Sequence, residues 1–259
     1  MNTILHYIVY LFRSKNLHGI HSPFVYSFVK DIIYNKKLRS KKFKQIENVR
    51  ESLKRDSTPL ISHDHGAGSL DAHSNRTIGS FSRLSSKPKR YAELLYRLGV
   101  WHNPTYALEL GTALGISTMY QRISFKENIN FTSLEGNPML AEKAVMNFNS
   151  VGLDDIHMVI GNFDTTLHTV LTKVPFVDWV FFDGNHRKEP TLRYFNQCLE
   201  KATETSLFIF DDINWSREMK EAWREIKANP RVSLTIDLFF IGLVFFNQRY
   251  EKEDFVIRY

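Results

Sequence analysis

Strands alternating with helices from Tyr106 to Phe246 predict an α/β fold, a parallel sheet with helices on both faces. Two further observations refine that class. The last two strand-like segments have no helix between them, so they form an antiparallel pair at the end of the sheet. The first hundred residues carry helical spacing and irregular stretches, which makes them a helical extension in front of the sheet.

In the extension, Ser22-Pro23 is a helix start, with serine as cap and proline at the first helical position. Phe24, Val25, Phe28, Val29, Ile32 and Ile33 follow as one apolar stripe. The stripe needs a partner, either the following domain or another subunit, so a homodimer through these helices is one expectation for a basic helical segment at 1–56. Residues 57–86 turn to Ser57-Thr58-Pro59, His63-Asp64-His65-Gly66-Ala67-Gly68-Ser69 and scattered Ser and Arg, a long polar loop or lid. Pro88–Leu98 reads as a helix ended by Gly99, and it opens the main domain at 87–259.

Tyr106–Leu110 is the first strand, with a helix near Gly115–Ile123. Phe131–Glu135 is the second, and Asn137-Pro138 caps a helix that Gly152 ends. His157–Ile160 and Val177–Asp183 are the next strands, followed by helices at Phe163–Leu171 and Pro190–Lys201 respectively. Ser206–Phe210 leads to a helix near Trp215–Ala228, and Val232–Asp237 with Leu243–Phe246 make the closing pair.

Composition narrows the function classes. The chain has 259 residues, 34 Lys plus Arg against 28 Asp plus Glu, and 43% hydrophobic residues, which excludes collagen-like, low-complexity and wholly disordered readings. The one cysteine, Cys198, cannot form an internal disulfide or a cysteine-based zinc cluster. Residues 1–104 hold 18 basic and 7 acidic side chains, whereas residues 105–259 hold 16 and 21. The run Lys36, Lys37, Arg39, Lys41, Lys42 and Lys44 has no interleaved aromatic binding motif, so it reads as a solvated face or connection, and nucleic acid is disfavoured as a partner. Leu238–Phe246, the most apolar later run, is nine residues long, whereas a membrane helix needs about 20. No membrane span is expected, and the expected compartment is the cytoplasm.

In parallel sheets ligands bind beyond the carboxyl ends of the strands. After the first strand comes Glu109-Leu110-Gly111-Thr112-Ala113-Leu114-Gly115-Ile116-Ser117, where glycines let backbone approach a ligand. Glu135 ends the second strand 24 residues beyond Gly111, where a carboxylate can accept hydrogen bonds from both hydroxyls of a ribose. Together they point to an adenosine-type cofactor. The turn lacks the third glycine of G-x-G-x-x-G, which disfavours a dinucleotide and an oxidoreductase.

The segment resembles motif I of the class I S-adenosylmethionine-dependent methyltransferases, in particular the catechol O-methyltransferase-like branch. The resemblance extends over roughly residues 85–250. Ser133-Leu134-Glu135-Gly136-Asn137-Pro138 looks like the ribose segment and Gly161-Asn162-Phe163-Asp164 like the segment flanking adenine. Phe181-Phe182-Asp183-Gly184-Asn185-His186 and Phe210-Asp211-Asp212-Ile213 look like the fourth- and fifth-strand motifs. The resemblance implies a Rossmann-like seven-stranded sheet of order 3-2-1-4-5-7-6 and S-adenosylmethionine as cofactor. It implies cofactor contacts from Glu109, Gly111, Thr112, Ala113, Gly115, Ser117, Glu135, Gly136, Asn162, Phe163 and Asp183. Asp212 stands where catechol-type members usually have asparagine, and His186 near the position of their catalytic lysine.

Asp183, Asp211 and Asp212 concentrate negative charge at two strand ends, which a cation or protons must neutralise. Oxygen ligands of this kind suit Mg²⁺. The alternative is that Asp211 or Asp212 caps the next helix and Asp183 bonds backbone or cofactor amine; both remain open. His186, whose ordinary pKa lies near neutrality, is the candidate general base beside Asp183. His63, His65 and His73 lack ligand spacing for a metal site. The expected function is methyl transfer to a small-molecule hydroxyl. The alternatives are a non-catalytic binding protein on the same scaffold, or a nucleic-acid methyltransferase using the basic N-terminal region, against which no N-P-P-Y-like tetrapeptide is present.

Overall fold

The structure, a computed structural model, describes residues 3–60 and 76–259. The strands are β1 Tyr106–Leu110, β2 Asn130–Glu135, β3 His157–Ile160, β4 Val177–Phe182, β5 Ala202–Phe210, β6 Leu234–Asp237, β7 Gly242–Phe245 and β8 Glu253–Val256. Their order in the sheet is β3-β2-β1-β4-β5-β7-β6-β8, the expected Rossmann-like order with one strand more. β7 runs antiparallel to β5 and β6, as the missing helix requires. β8 pairs parallel to β6 and was invisible in the sequence, because only Phe255 of its four residues is buried.

The described residues divide into two compact units, one from Lys36 to Thr169, the other joining residues up to Asn35 with Val170–Tyr259. The segment expected as one extension at 1–56 is therefore shared between them.

The central unit, from Lys36 to Thr169, contains β1–β3 with α3 Phe43–Lys54, α4 Ile78–Ser85, α5 Lys89–His102, α6 Ile116–Arg122, α7 Pro138–Ser150 and the start of α8 Phe163–Thr172. Its core joins Ile46 and Leu53 of α3, Ile78 of α4, Met119 and Tyr120 of α6 and Phe148 of α7. Each such burial stabilises by about 1.5–3 kcal/mol. α4 falls inside the stretch read as polar loop. Its Ser-rich composition hid a reciprocal cap in which Ser80 N–H donates to Thr77 Oγ1 and Thr77 N–H to Ser80 Oγ. Residues 61–75 of that stretch, with His63, His65, His73 and Gly66–Ser69, lie outside the described residues. α5 runs through Gly99, whose missing Cβ leaves room for Ser124 and Phe125, and ends at the left-handed Asn103.

The other unit holds α1 Thr3–Arg13, α2 Pro23–Phe28, a π-helical turn Val29–Ile33, β4–β8, α9 Lys188–Leu199 and α10 Arg217–Ala228. Ser22 Oγ accepts from Val25 N–H as its cap role requires. The apolar stripe finds its partner within this unit: Phe24 stacks on Tyr250 at 4.4 Å between centroids, and Phe28 meets Phe245 edge-on at 5.5 Å. Among the described residues no helix is long and apolar enough to cross a membrane.

Candidate functional site

In the central unit the turn after β1 is built by backbone geometry. Gly111 has φ +102°, Ala113 +50° and Gly115 +81°, a sequence of left-handed residues that folds the chain back into α6. Gly111 N–H donates to Leu134 O at 2.9 Å and Asn147 Nδ2 to Leu114 O at 2.9 Å, so β2 and α7 both hold the turn. Glu135, 8% exposed, accepts from Ala113 N–H at 2.7 Å and from Asn137 N–H at 2.9 Å. Beside it, Gly136 has no atom within 4 Å of where a Cβ would stand, so the strand end opens onto free space.

Other members of the expected cofactor set face inward. Glu109 is 0% exposed, and its carboxylate accepts from Ser117 Oγ, Thr118 Oγ1, Gln121 Nε2 and Ser133 Oγ at 2.5–3.2 Å. Thr112 Oγ1 lies 2.5 Å from Ser133 Oγ. Thr118 and Gln121 were not singled out in the sequence, and Ser133 only as the first residue of the ribose segment, although each is a small or amide donor within reach of one buried carboxylate. Asn162 is exposed, and its Oδ1 caps α8 by accepting Asp164 N–H at 2.9 Å; Phe163 is buried beside it.

The second group of expected residues lies in the other unit. Asp183 follows β4, Asp211 follows β5, and their carboxylate oxygens with a His186 ring nitrogen lie within 4.8 Å of one another. His186 Nε2 stands 3.8 Å from Asp183 Oδ1, with the side chains 26% and 17% exposed; Asp211 is 1% exposed. The structure thus groups His186, and not Asp212, with the two aspartates. Asp212, also expected for Mg²⁺, has φ +52°, its carbonyl accepts Trp215 N–H at 2.9 Å, and it is not in that group. Non-glycine left-handed residues follow β4, β5 and β6 in this unit, namely Asn185, Asp212 and Phe239. Such backbone conformations persist only where their surroundings enforce them, and they cluster at functional sites.

Residues 108–213 match a family described as a methyltransferase domain. An uncharacterized protein of Acanthamoeba polyphaga mimivirus is 27% identical over 130 residues, which span 47% of this chain and 59% of the viral protein. The fold of the methyltransferase domain recurs in an O-methyltransferase from Bacillus cereus solved with SAH, at TM-score 0.58 and 18% identity over 85% of this chain and 96% of that one. It recurs in the O-methyltransferase TomG of Streptomyces achromogenes solved with SAM, at TM-score 0.55 and 16% identity over 62% and 82%. The SAH-bound methyltransferase PaMTH1 of Podospora anserina is similar at TM-score 0.56 and 12% identity over 81% and 98%. The family match spans the whole methyltransferase motif series read from the sequence, from β1 to Ile213.

Proposed function

We propose that this domain transfers a methyl group from S-adenosylmethionine to a hydroxyl oxygen of a small molecule. The observation that carries the reading is the junction of Glu135 with the turn at 111–115, inside the matched residues. Glu135 would hold the ribose hydroxyls, the Gly111 and Ala113 backbone would line the methionine portion, and Gly136, Asn162 and Phe163 would flank the adenine. The open space beside Gly136 and the tight turn fit such a ligand.

In the reaction the sulfonium S–C bond breaks as the C–O bond forms, the cofactor leaves as S-adenosylhomocysteine, and the hydroxyl proton must go to a base. Because the leaving group is already good, orientation and deprotonation are the protein's main contributions. Asp183, His186 and Asp211 offer carboxylate oxygens and a ring nitrogen to receive that proton. The same three groups fit a divalent cation, since two carboxylates this close repel one another and a cation relieves the repulsion. Such an ion lowers the pKa of a bound hydroxyl. The cytoplasm is the compartment we assign, on the single cysteine, Cys198, which can form no internal disulfide.

Calorimetry with S-adenosylhomocysteine, followed by transfer of tritiated methyl from S-adenosylmethionine to a panel of hydroxylated small molecules, tests the reading. Binding and methyl ether products are expected. Absence of cofactor binding would overturn it, and binding with transfer only to nitrogen acceptors would overturn the hydroxyl assignment.

A further inference from the structure

We infer that His186 is a metal ligand, so that Asp183, His186 and Asp211 form a centre of one imidazole and two carboxylates that selects a divalent transition-metal ion over Mg²⁺. This deepens the reading above and rests on it for the centre's purpose, but not for its existence.

The 3.8 Å between His186 Nε2 and Asp183 Oδ1 is the deciding distance. It exceeds a hydrogen bond, so Asp183 Oδ1 does not orient the imidazole as the partner in a base dyad would. It matches two donors around a shared ion, because ligands each about 2.0–2.2 Å from a metal stand roughly 3–4.3 Å apart. The 4.8 Å bound on the whole group asks for a closure of at most about 1–2 Å, within the reach of side-chain torsions.

The backbone brings the three together. Asn185 adopts φ +53°, which reverses the chain directly after β4 and returns His186 toward Asp183. Arg187 N–H closes the turn on Asn185 O at 2.5 Å. Asn185 Oδ1, within this same turn, is buried with no hydrogen-bond partner among the described residues. Asp211 is buried, while Asp183 and His186 are partly exposed, so solvent or an acceptor hydroxyl can reach the open side.

Ligand chemistry sets the preference. Mg²⁺ favours all-oxygen octahedra and keeps its waters, whereas imidazole suits Fe²⁺, Ni²⁺, Cu²⁺ and Zn²⁺, and Co²⁺ falls between Fe²⁺ and Ni²⁺ in the general order of affinity. Had Asp212 been the third donor, the set would have been all oxygen and the preference would disappear.

The test titrates the full chain with Co²⁺, read by visible absorption and calorimetry, and with Mg²⁺, in the absence of any S-adenosyl compound. Co²⁺ is expected to bind one equivalent more tightly than Mg²⁺. His186→Asn should weaken Co²⁺ at least about tenfold and Mg²⁺ less than about threefold, as loss of a nitrogen ligand predicts. Asp212→Asn should change neither. If His186→Asn does not retain the circular dichroism of the parent, His186→Gln is judged by the same criterion. Unchanged Co²⁺ affinity in the histidine variant, a larger loss in Asp212→Asn, or no divalent binding to the parent overturns the assignment. S-adenosylhomocysteine binding on the same samples separates the two readings. Metal without cofactor binding would overturn methyl transfer and keep the centre, and cofactor without metal binding would do the reverse.

Discussion

The backbone N–H of Ala113 donates to Glu135 Oε2 at 2.7 Å, and this bond couples the end of β2 to the left-handed turn after β1. The other carboxylate oxygen accepts Asn137 N–H, so one side chain sets the turn and the start of α7 together. Hydrogen bonds to a charged acceptor contribute about 1.5–3 kcal/mol. Glu135→Ala is therefore expected to lower S-adenosylhomocysteine affinity by about tenfold or more, through lost ribose contacts and a loosened turn. Glu135→Gln, which keeps an acceptor oxygen, should lose less. Calorimetry checks both, and equal affinity in all three proteins would remove Glu135 from the cofactor site.

Gly115 meets a steric demand from the core. An added Cβ would lie 2.3 Å from Phe148 Cε1, at a residue whose φ of +81° already disfavours side chains. The left-handed conformation costs about 1–2 kcal/mol, and the overlap about 1–3 kcal/mol more. Gly115→Ala should lower the urea midpoint by a corresponding amount, and Phe148→Leu in that background should recover part of the loss. Failure of the second substitution to recover any stability would show that Phe148 is not the obstacle.

The alternation from Tyr106 onward was legible because apolar runs such as the fully buried β4 lie between helical spacings. α4 was not legible, because Ser, Arg and Gly dominate it and its burial rests on Ile78, Gly79 and Ser82. Gly79 reads locally as a breaker, yet its N–H donates to Asp56 O at 2.8 Å and a Cβ there would meet that oxygen. At the site, spacing located the strand ends but could not say which way side chains turn. Glu109 and Ser117 read as ligand contacts and hydrogen-bond to each other, while His186 groups with Asp183 and Asp211.

Glu109, expected as a cofactor contact, has its carboxylate engaged inside the protein. Its carboxylate accepts from four side chains, so a neutral amide would set one NH₂ group against donors that already need an acceptor. A buried donor left unsatisfied costs about 1–3 kcal/mol. Glu109→Gln should lower unfolding stability by an amount of that order, while cofactor affinity measured well below the unfolding transition changes little. Denaturant melts and calorimetry on the same protein decide it. Full stability with lost affinity would instead make Glu109 a direct cofactor contact.

Acid stability in the central unit has an assignable contributor. Lys143 Nζ stands 2.6 Å from Asp56 Oδ2, and Thr58 N–H donates to Asp56 Oδ1 at 2.9 Å. The Lys143 contact first, then those from Thr58, hold the Asp56 carboxyl at about 2, below its ordinary 3.8. A carboxylate whose pKa is depressed on folding binds fewer protons folded than unfolded between those values. Its contribution is fully present above pH 3.8 and is lost as pH falls through about 2. Asp56→Asn keeps an oxygen for Thr58 but removes the charge facing Lys143. The variant should be less stable than the parent at neutral pH, and the gap should close as pH falls across that window. Urea midpoints measured at intervals from neutrality to strong acid test this. Parallel profiles for the two proteins would show that the Asp56–Lys143 pair contributes nothing to acid sensitivity.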